Sequence, residues 1–223
     1  MMDSGYEDLK AQKKRLDERG HRNVTGGNWE QIGQLQFDAL KAHGLQPHHN
    51  LIDVGCGTLR GGVHFIPYLE PGRYYGLDAN EDFVRIAYDA ELNADLRARC
   101  PLDNFRFNMV FDFDFNDVTF DFACGISLFT HLSTNKILLC LENLRPLMRT
   151  GAAFCATFFL SGGAPKADAV TQVGRLKTYS YQNPFHYDVP DIEAMARGTG
   201  WHLSDIKDIN HPRRQQLAVL IAD

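Results

Sequence analysis

"LIDVGCGTLRGG", residues 51–62, is the stretch on which the reading of this chain turns. Its first four residues are apolar or acidic and suit a short buried strand. A glycine loop follows, then a helix start. That is how a nucleotide-binding turn is built: glycines let the chain reverse sharply and let a ligand approach the backbone N–H groups at the helix end. The loop reads G-C-G-T-L-R, so Arg60 stands where a dinucleotide-binding loop needs a small third residue.

Outward from this loop, hydrophobic spacing predicts alternating elements. A polar helix is expected over 6–19, then a glycine-rich break at "VTGGNW". A second helix runs from Asn28, a possible N-cap, to a stop at Gly44. Strands are expected at 50–54, 73–79, 105–111, 120–127 and 151–160. A helix interrupted by Pro67, one amphipathic helix over 81–100 and one over 133–149, capped by Ser133 or Thr134, lie between them. A loop or lid, a short helix over 190–200 and two final strands, 201–209 and 214–222, complete the chain. Strand–helix alternation requires a mostly parallel sheet with helices on both faces. The last two strands are joined too tightly for a parallel crossover, so they must be antiparallel. The expected fold is therefore a Rossmann-like, seven-stranded, mostly parallel α/β sheet.

Composition narrows the answer. The chain has 223 residues, 44% of them hydrophobic, enough for one sizeable core. A net charge of −5 gives no support for nucleic-acid binding. The basic run at 10–22 reads as a solvated helix face. Five cysteines, Cys56, Cys100, Cys124, Cys140 and Cys155, form no C-x-x-C pair, so neither a disulfide framework nor a metal site is expected. The three histidines His43, His48 and His49 fit no metal spacing either. There is no secretory leader pattern and no apolar run of about 18 residues, so a soluble cytoplasmic protein without a membrane partner is expected.

The second expected strand ends at Asp78, twenty-one residues after Gly57. A carboxylate there suits a ribose diol, because it can accept from both hydroxyls. Asp53, just before the glycines, would sit badly beside a pyrophosphate and well beside an amino group. The Arg60 guanidinium suits a carboxylate. A nucleoside carrying an amino-acid zwitterion meets all three demands, and S-adenosyl-L-methionine is such a ligand.

"LIDVGCGTLRGG", "YYGLDA" and "FDFACGISLFTHL" resemble the first, second and fourth motifs of class I S-adenosylmethionine-dependent methyltransferases. The likeness covers about residues 26–222. The "GG-x-W" segment before the loop and the "HPR-x-Q" segment near the end resemble a bacterial subgroup associated with sugars, polysaccharides or small metabolites. The family implies an antiparallel last strand, S-adenosyl-L-methionine as cofactor and S-adenosyl-L-homocysteine as product. By position it implies Asp53, Gly55, Cys56, Gly57 and Arg60 around the methionine part. Asp78 and Ala79 fall at the ribose, and Cys124 and Ser127 near the sulfonium and the substrate. At the adenine this chain departs from the common pattern: Met109 and Val110 stand where many relatives carry an acid, with Asn108 or Asp112 as substitutes.

Methyl transfer is an in-line displacement, so the protein mainly aligns two reactants and excludes water. A hydroxyl nucleophile also calls for a base. His186 in "NPFHYD" and His131 in "SLFTHL" are the candidates. His131 also reads as a loop-ordering residue, His186 as a lid-packing one, and His211 as a turn residue. Trp29, Tyr181 and Tyr187 are candidate substrate contacts. The expected organisation is a single domain over 1–223, with 1–48 as an N-terminal helical extension or lid and 161–188 as a substrate-side lid. The expected activity is methyl transfer to a small-molecule or carbohydrate acceptor, on oxygen. The competing readings are a non-catalytic S-adenosylmethionine-binding module and an NAD-dependent oxidoreductase, which Arg60 opposes.

Overall fold

The structure, a computed structural model, describes residues 8–115 and 117–223. By contacts the chain divides into two compact units, residues 1–116 and 117–223.

The first unit opens with α1 (Leu9–Arg19), α2 (His21–Val24) and α3 (Trp29–Ala42). Residues 6 and 7 of the expected first helix lie outside the described residues. Asp8 caps α1 by accepting from Ala11 N–H at 3.0 Å. Asn28 does stand before α3, but at φ 50° and without a side-chain cap bond. Then come β1 (Leu51–Val54), α4 (Gly62–Tyr68), β2 (Tyr74–Asp78), α5 (Glu81–Glu91), α6 (Ala94–Arg99) and β3 (Phe105–Phe107). β1 pairs β2 and β2 pairs β3, both parallel. Every residue of β1 is buried, as a central parallel strand requires.

Two expectations need correction here. The single helix over 81–100 is two. Leu92 is extended and buried, and Asn93 restarts the helix by accepting from Leu96 N–H at 2.9 Å. An amphipathic period does not see a cap in its middle. The third strand stops at Phe107 rather than 111. Asn108 Oδ1 accepts from Val110 and Asp112 N–H at 3.2 and 3.0 Å and curls the chain away from the sheet.

The second unit holds β4 (Phe120–Gly125), α7 (Thr134–Leu144), β5 (Met148–Leu160), β6 (Val170–Thr171), β7 (Lys177–Thr178), β8 (His186–Tyr187), α8 (Val189–Gly198), β9 (Trp201–Asp208) and β10 (Gln216–Ala222). β4 pairs β5 in parallel, and β10 runs antiparallel to both β5 and β9. The tight final connection thus does reverse the chain. β10 pairs with β5 as well as with β9, which joins this reversed pair to the edge of the sheet. The helix expected to reach 149 ends at Leu144. Pro146 has no N–H to continue it, and 145–147 tighten into a 3-10 turn before β5 begins at Met148. Residues 152–159 of β5 are buried without a break, as expected for a strand covered on both faces. Three short strands were not expected: β6 pairs β7, and β8 lies parallel to the end of β5. The other seven are those expected from sequence, and the fold is of the Rossmann-like, mostly parallel α/β class.

Candidate active site

In the first unit the site is a backbone turn after β1. Gly55 and Gly57 sit at φ 72° and 55°, where side chains are strained. Asp78, at the end of β2, is tied to this turn: its Oδ2 accepts from Gly57 N–H and its Oδ1 from Asn80 N–H, both at 2.8 Å. Burial raises the Asp78 carboxyl to about 6, against the lowering pull of those two backbone donors. A carboxylate has about four lone-pair sites, so two accepted bonds leave capacity for a diol. Ala79 follows it, half-buried.

Asp53 is buried and accepts from Tyr74 Oη at 2.8 Å. Arg60 is buried as well. Cys56 is buried with its thiol toward Gly76: a Cβ there would meet its Sγ at 2.9 Å. Burial, then Asp78 and Asp53, push that thiol well up, so it stays protonated and packs. α3 lies hard against the loop, because a Cβ on Gly33 would come within 2.4 Å of the Arg60 carbonyl oxygen. Trp29 is buried on the same loop, donating from Nε1 to Thr58 at 3.2 Å, with the Arg22 guanidinium 4.6 Å from its ring. A Cβ at Gly57 would stand 3.6 Å from the Thr25 methyl and 4.0 Å from Asp78 Oδ2. Gln12 accepts from the Asn80 side chain at 2.9 Å, and His21 and Arg22 hold Glu91. Thus residues 12–29 are bound to the turn and to α5. Sequence reading gave 1–48 as a helical extension or lid and Trp29 as a substrate contact; Thr25 and Gln12 carried no signal. Asn108 uses both ends of its amide inside its own turn, donating to the Asp112 carbonyl at 2.9 Å, while Asp112 is exposed.

In the second unit the polar groups gather after β4. Cys124 is fully buried inside β4, opposite Cys155. Ser127, half-buried, sits at φ 61°. Its backbone N–H donates to Thr157 Oγ1 at 2.7 Å, and its hydroxyl donates to Gln215 Oε1 at 3.0 Å. His211 Nε2 lies 3.4 Å from the same hydroxyl. "SLFTHL" and "HPRRQ" therefore meet, 84 and 88 residues apart in sequence. His211 is thereby more than a turn residue, and Gln215 and Thr157 had no sequence signal at all.

His131 Nδ1 is 2.8 Å from Asn183 Oδ1, so Nδ1 carries a proton and Nε2 is the ring's basic nitrogen. Burial holds this histidine below its ordinary range, with the Asn183 bond opposing. His186 is buried; its Nδ1 is 3.0 Å from Thr178 Oγ1, and its Nε2 is buried without a partner. Burial lowers its pKa too. It lines a cavity of about 420 Å³ with Thr134, Lys166, Tyr187, Asp191 and Met195. Tyr187 is buried and donates to the Leu132 carbonyl at 2.5 Å; Tyr181 is exposed beside Tyr179. Lys166 pairs with Asp188 at 3.1 Å and with Asp191, tying the 161–188 segment to α8.

Known proteins can now be set beside this geometry. Residues 52–154 match a protein-family model described as a methyltransferase domain. Magnesium protoporphyrin IX methyltransferase from Synechocystis PCC 6803, solved with bound SAM, superposes with a TM-score of 0.65 at 16% identity over 97% of each chain. The same enzyme has been solved with bound SAH. An amino pentose methyltransferase from Micromonospora echinaspora superposes at 0.62, with 14% identity, over 93% of this chain and 97% of that one. A methyltransferase from Streptomyces caelestis gives 0.64 at 12% identity over 86% and 96%. The likenesses bear out the fold. Among the described residues no helix is long and apolar enough to cross a membrane, and no group of three or more His, Cys, Asp or Glu could hold a metal.

Proposed function

We propose that the protein is an S-adenosylmethionine-dependent methyltransferase whose acceptor is a small-molecule or sugar hydroxyl. One observation carries the reading most: a carboxylate at the end of β2, Asp78, is locked onto the Gly57 N–H of the turn after β1. This presents a ribose-diol acceptor on a glycine turn open to close approach. In this reading Asp78 and Ala79 take the ribose, and Asp53, Gly55, Gly57 and Arg60 take the methionine end. The 108–112 turn, with Asp112 as its exposed acid, takes the adenine. Ser127 faces the transfer. A hydroxyl acceptor hands its proton to a histidine. His131 is better suited than His186, because the His186 Nε2 is sealed from solvent whereas His131 is half-buried and keeps its ring proton on Nδ1. Trp29 and Tyr187 support their loops, and Tyr181 offers an exposed ring to an acceptor.

The test is a calorimetric titration with S-adenosylmethionine, S-adenosylhomocysteine and NAD. Micromolar binding of the first two and none of NAD is expected. Binding of NAD in preference to either would sink the reading.

A further inference from the structure

Thr25 closes α2 and precedes Gly26 and Gly27, which sit at φ 95° and 75°. The chain is fastened within the first unit on both sides of it. His21 and Arg22 hold Glu91 of α5 at 2.5 and 2.6 Å, and Trp29 donates to Thr58 at 3.2 Å. Thr25 is thereby set against the glycine turn. A Cβ at Gly57 would meet Thr25 Cγ2 at 3.6 Å and Asp78 Oδ2 at 4.0 Å, both ordinary contacts. Beside Gly57 there is thus room for a carbon, with the Thr25 methyl on one side and the Asp78 carboxylate on the other.

Thr25 Oγ1 is buried and has no hydrogen-bond partner among the described residues. Buried hydroxyls are ordinarily paired, because an unpaired one costs the fold stability. One staggered step about χ1 exchanges Oγ1 with Cγ2, and no hydrogen bond is lost in the step. The hydroxyl then faces Gly57 and Asp78. An ionised Asp78 can only accept, so a ribose diol gives it protons, and the ribose oxygens are left with lone pairs that call for donors. The Gly57 and Asn80 N–H groups are already spent on Asp78, both at 2.8 Å. Thr25 carries a hydroxyl donor that is committed to nothing else.

We propose that Thr25 is a ribose-binding residue, whose hydroxyl donates to a ribose oxygen held on Asp78. The proposal rests on the methyltransferase reading and deepens it, by adding a donor to the acceptor that Asp78 supplies. Donor and acceptor together favour a diol over a deoxyribose at this turn.

Thr25→Val tests this, because it keeps the branched shape in either rotamer and removes only the hydroxyl. The probes are S-adenosylhomocysteine and methylthioadenosine, which keeps the ribose and adenine and lacks the amino-acid end. Calorimetry on the full chain should show Thr25→Val weakening both by the same factor, about three- to tenfold, the worth of one neutral hydrogen bond. Thr25→Ser, which keeps the hydroxyl, should stay within about twofold. Without ligand, the Tm of Thr25→Val should hold or rise, since its hydroxyl has no partner to lose. A fall of several degrees would show that the hydroxyl serves the fold and would overturn the proposal. A loss below about twofold for both probes overturns it too, and leaves the methyltransferase reading intact. A loss with S-adenosylhomocysteine alone moves the hydroxyl to the amino-acid end and overturns the ribose assignment. Failure of the unaltered protein to bind S-adenosylhomocysteine overturns both.

Discussion

The turn after β1 and the turn after β4 do the same structural job by opposite means. Both leave a buried parallel strand at its carboxyl end, and both need left-handed backbone. The first gets it from glycines, Gly55 and Gly57, and presents backbone N–H groups. The second puts a serine in that state and holds it with side chains from β5 and the β9–β10 connection. A glycine turn tolerates many neighbours, because its conformation costs little. A serine turn depends on its partners, so its chemistry is set by residues from other segments. The comparison teaches that one turn is written locally and the other is assembled.

The largest expected effect falls in the second unit. His131→Ala should lower turnover by about 100- to 10,000-fold, the usual worth of a general base, with cofactor affinity retained. Steady-state kinetics on the first hydroxyl acceptor that turns over will check it. A loss of that size in His186→Ala, with His131→Ala nearly silent, would transfer the role to the buried histidine. In the first unit, Asp78→Ala should weaken S-adenosylmethionine binding by about 100-fold, since two charge-assisted bonds to the ribose are lost. Near-unchanged calorimetric affinity would remove Asp78 from the site.

Gly33→Ala probes the close contact behind the loop. Its new Cβ would meet the Arg60 carbonyl at 2.4 Å, and overpacking of this kind costs about 1–3 kcal/mol. Thermal unfolding should show a fall of several degrees, about 2–4 °C per kcal/mol for a chain this size. An unchanged Tm would mean that α3 is not pressed on the loop.

The pH dependence has opposite signs for folding and binding. Burial raises the Asp78 carboxyl from 3.8 to about 6. Stability from this group is complete below 3.8 and is lost as pH rises through about 6, because the fold disfavours the charged form. A ribose needs that charged form. Affinity for S-adenosylmethionine should thus be about tenfold weaker at pH 5 than at pH 7.5, one pKa unit below the midpoint. Asp78→Asn should flatten the profile, and a slope that survives it would point to another group. The smallest effect belongs to Lys166→Ala. Its ion pairs with Asp188 and Asp191 are solvent-exposed on the lysine side, and such pairs contribute about 0–1 kcal/mol. Tm should barely move, while amide exchange in 161–188 should quicken. Unchanged exchange would show that this contact does not hold the segment.

The elements that sequence reading placed well share one property: their signal is short-range. β1, β2, the glycine turn and Asp78 follow from a buried run, two glycines and a fixed spacing. The misplaced boundaries have local causes of another kind. Asn93 caps a helix in the middle of an unbroken amphipathic pattern, and Asn108 folds back on its own backbone. Period counting registers burial and is blind to a side chain that competes for backbone hydrogen bonds. Trp29 shows the intermediate case. The sequence reads it as a substrate contact, whereas its indole N–H is bound to Thr58 in the folded chain.

By itself the sequence determined the class of sheet, the direction of its last strand and a glycine turn with its acid, because burial patterns and glycine spacing act between near neighbours. Only the tertiary structure decided that His211 and Gln215 reach Ser127, that His131 keeps its proton on Nδ1, and that His186 is sealed. Hydrogen-bond polarity is fixed by which groups meet in space, and these partners come from segments 52 to 88 residues apart.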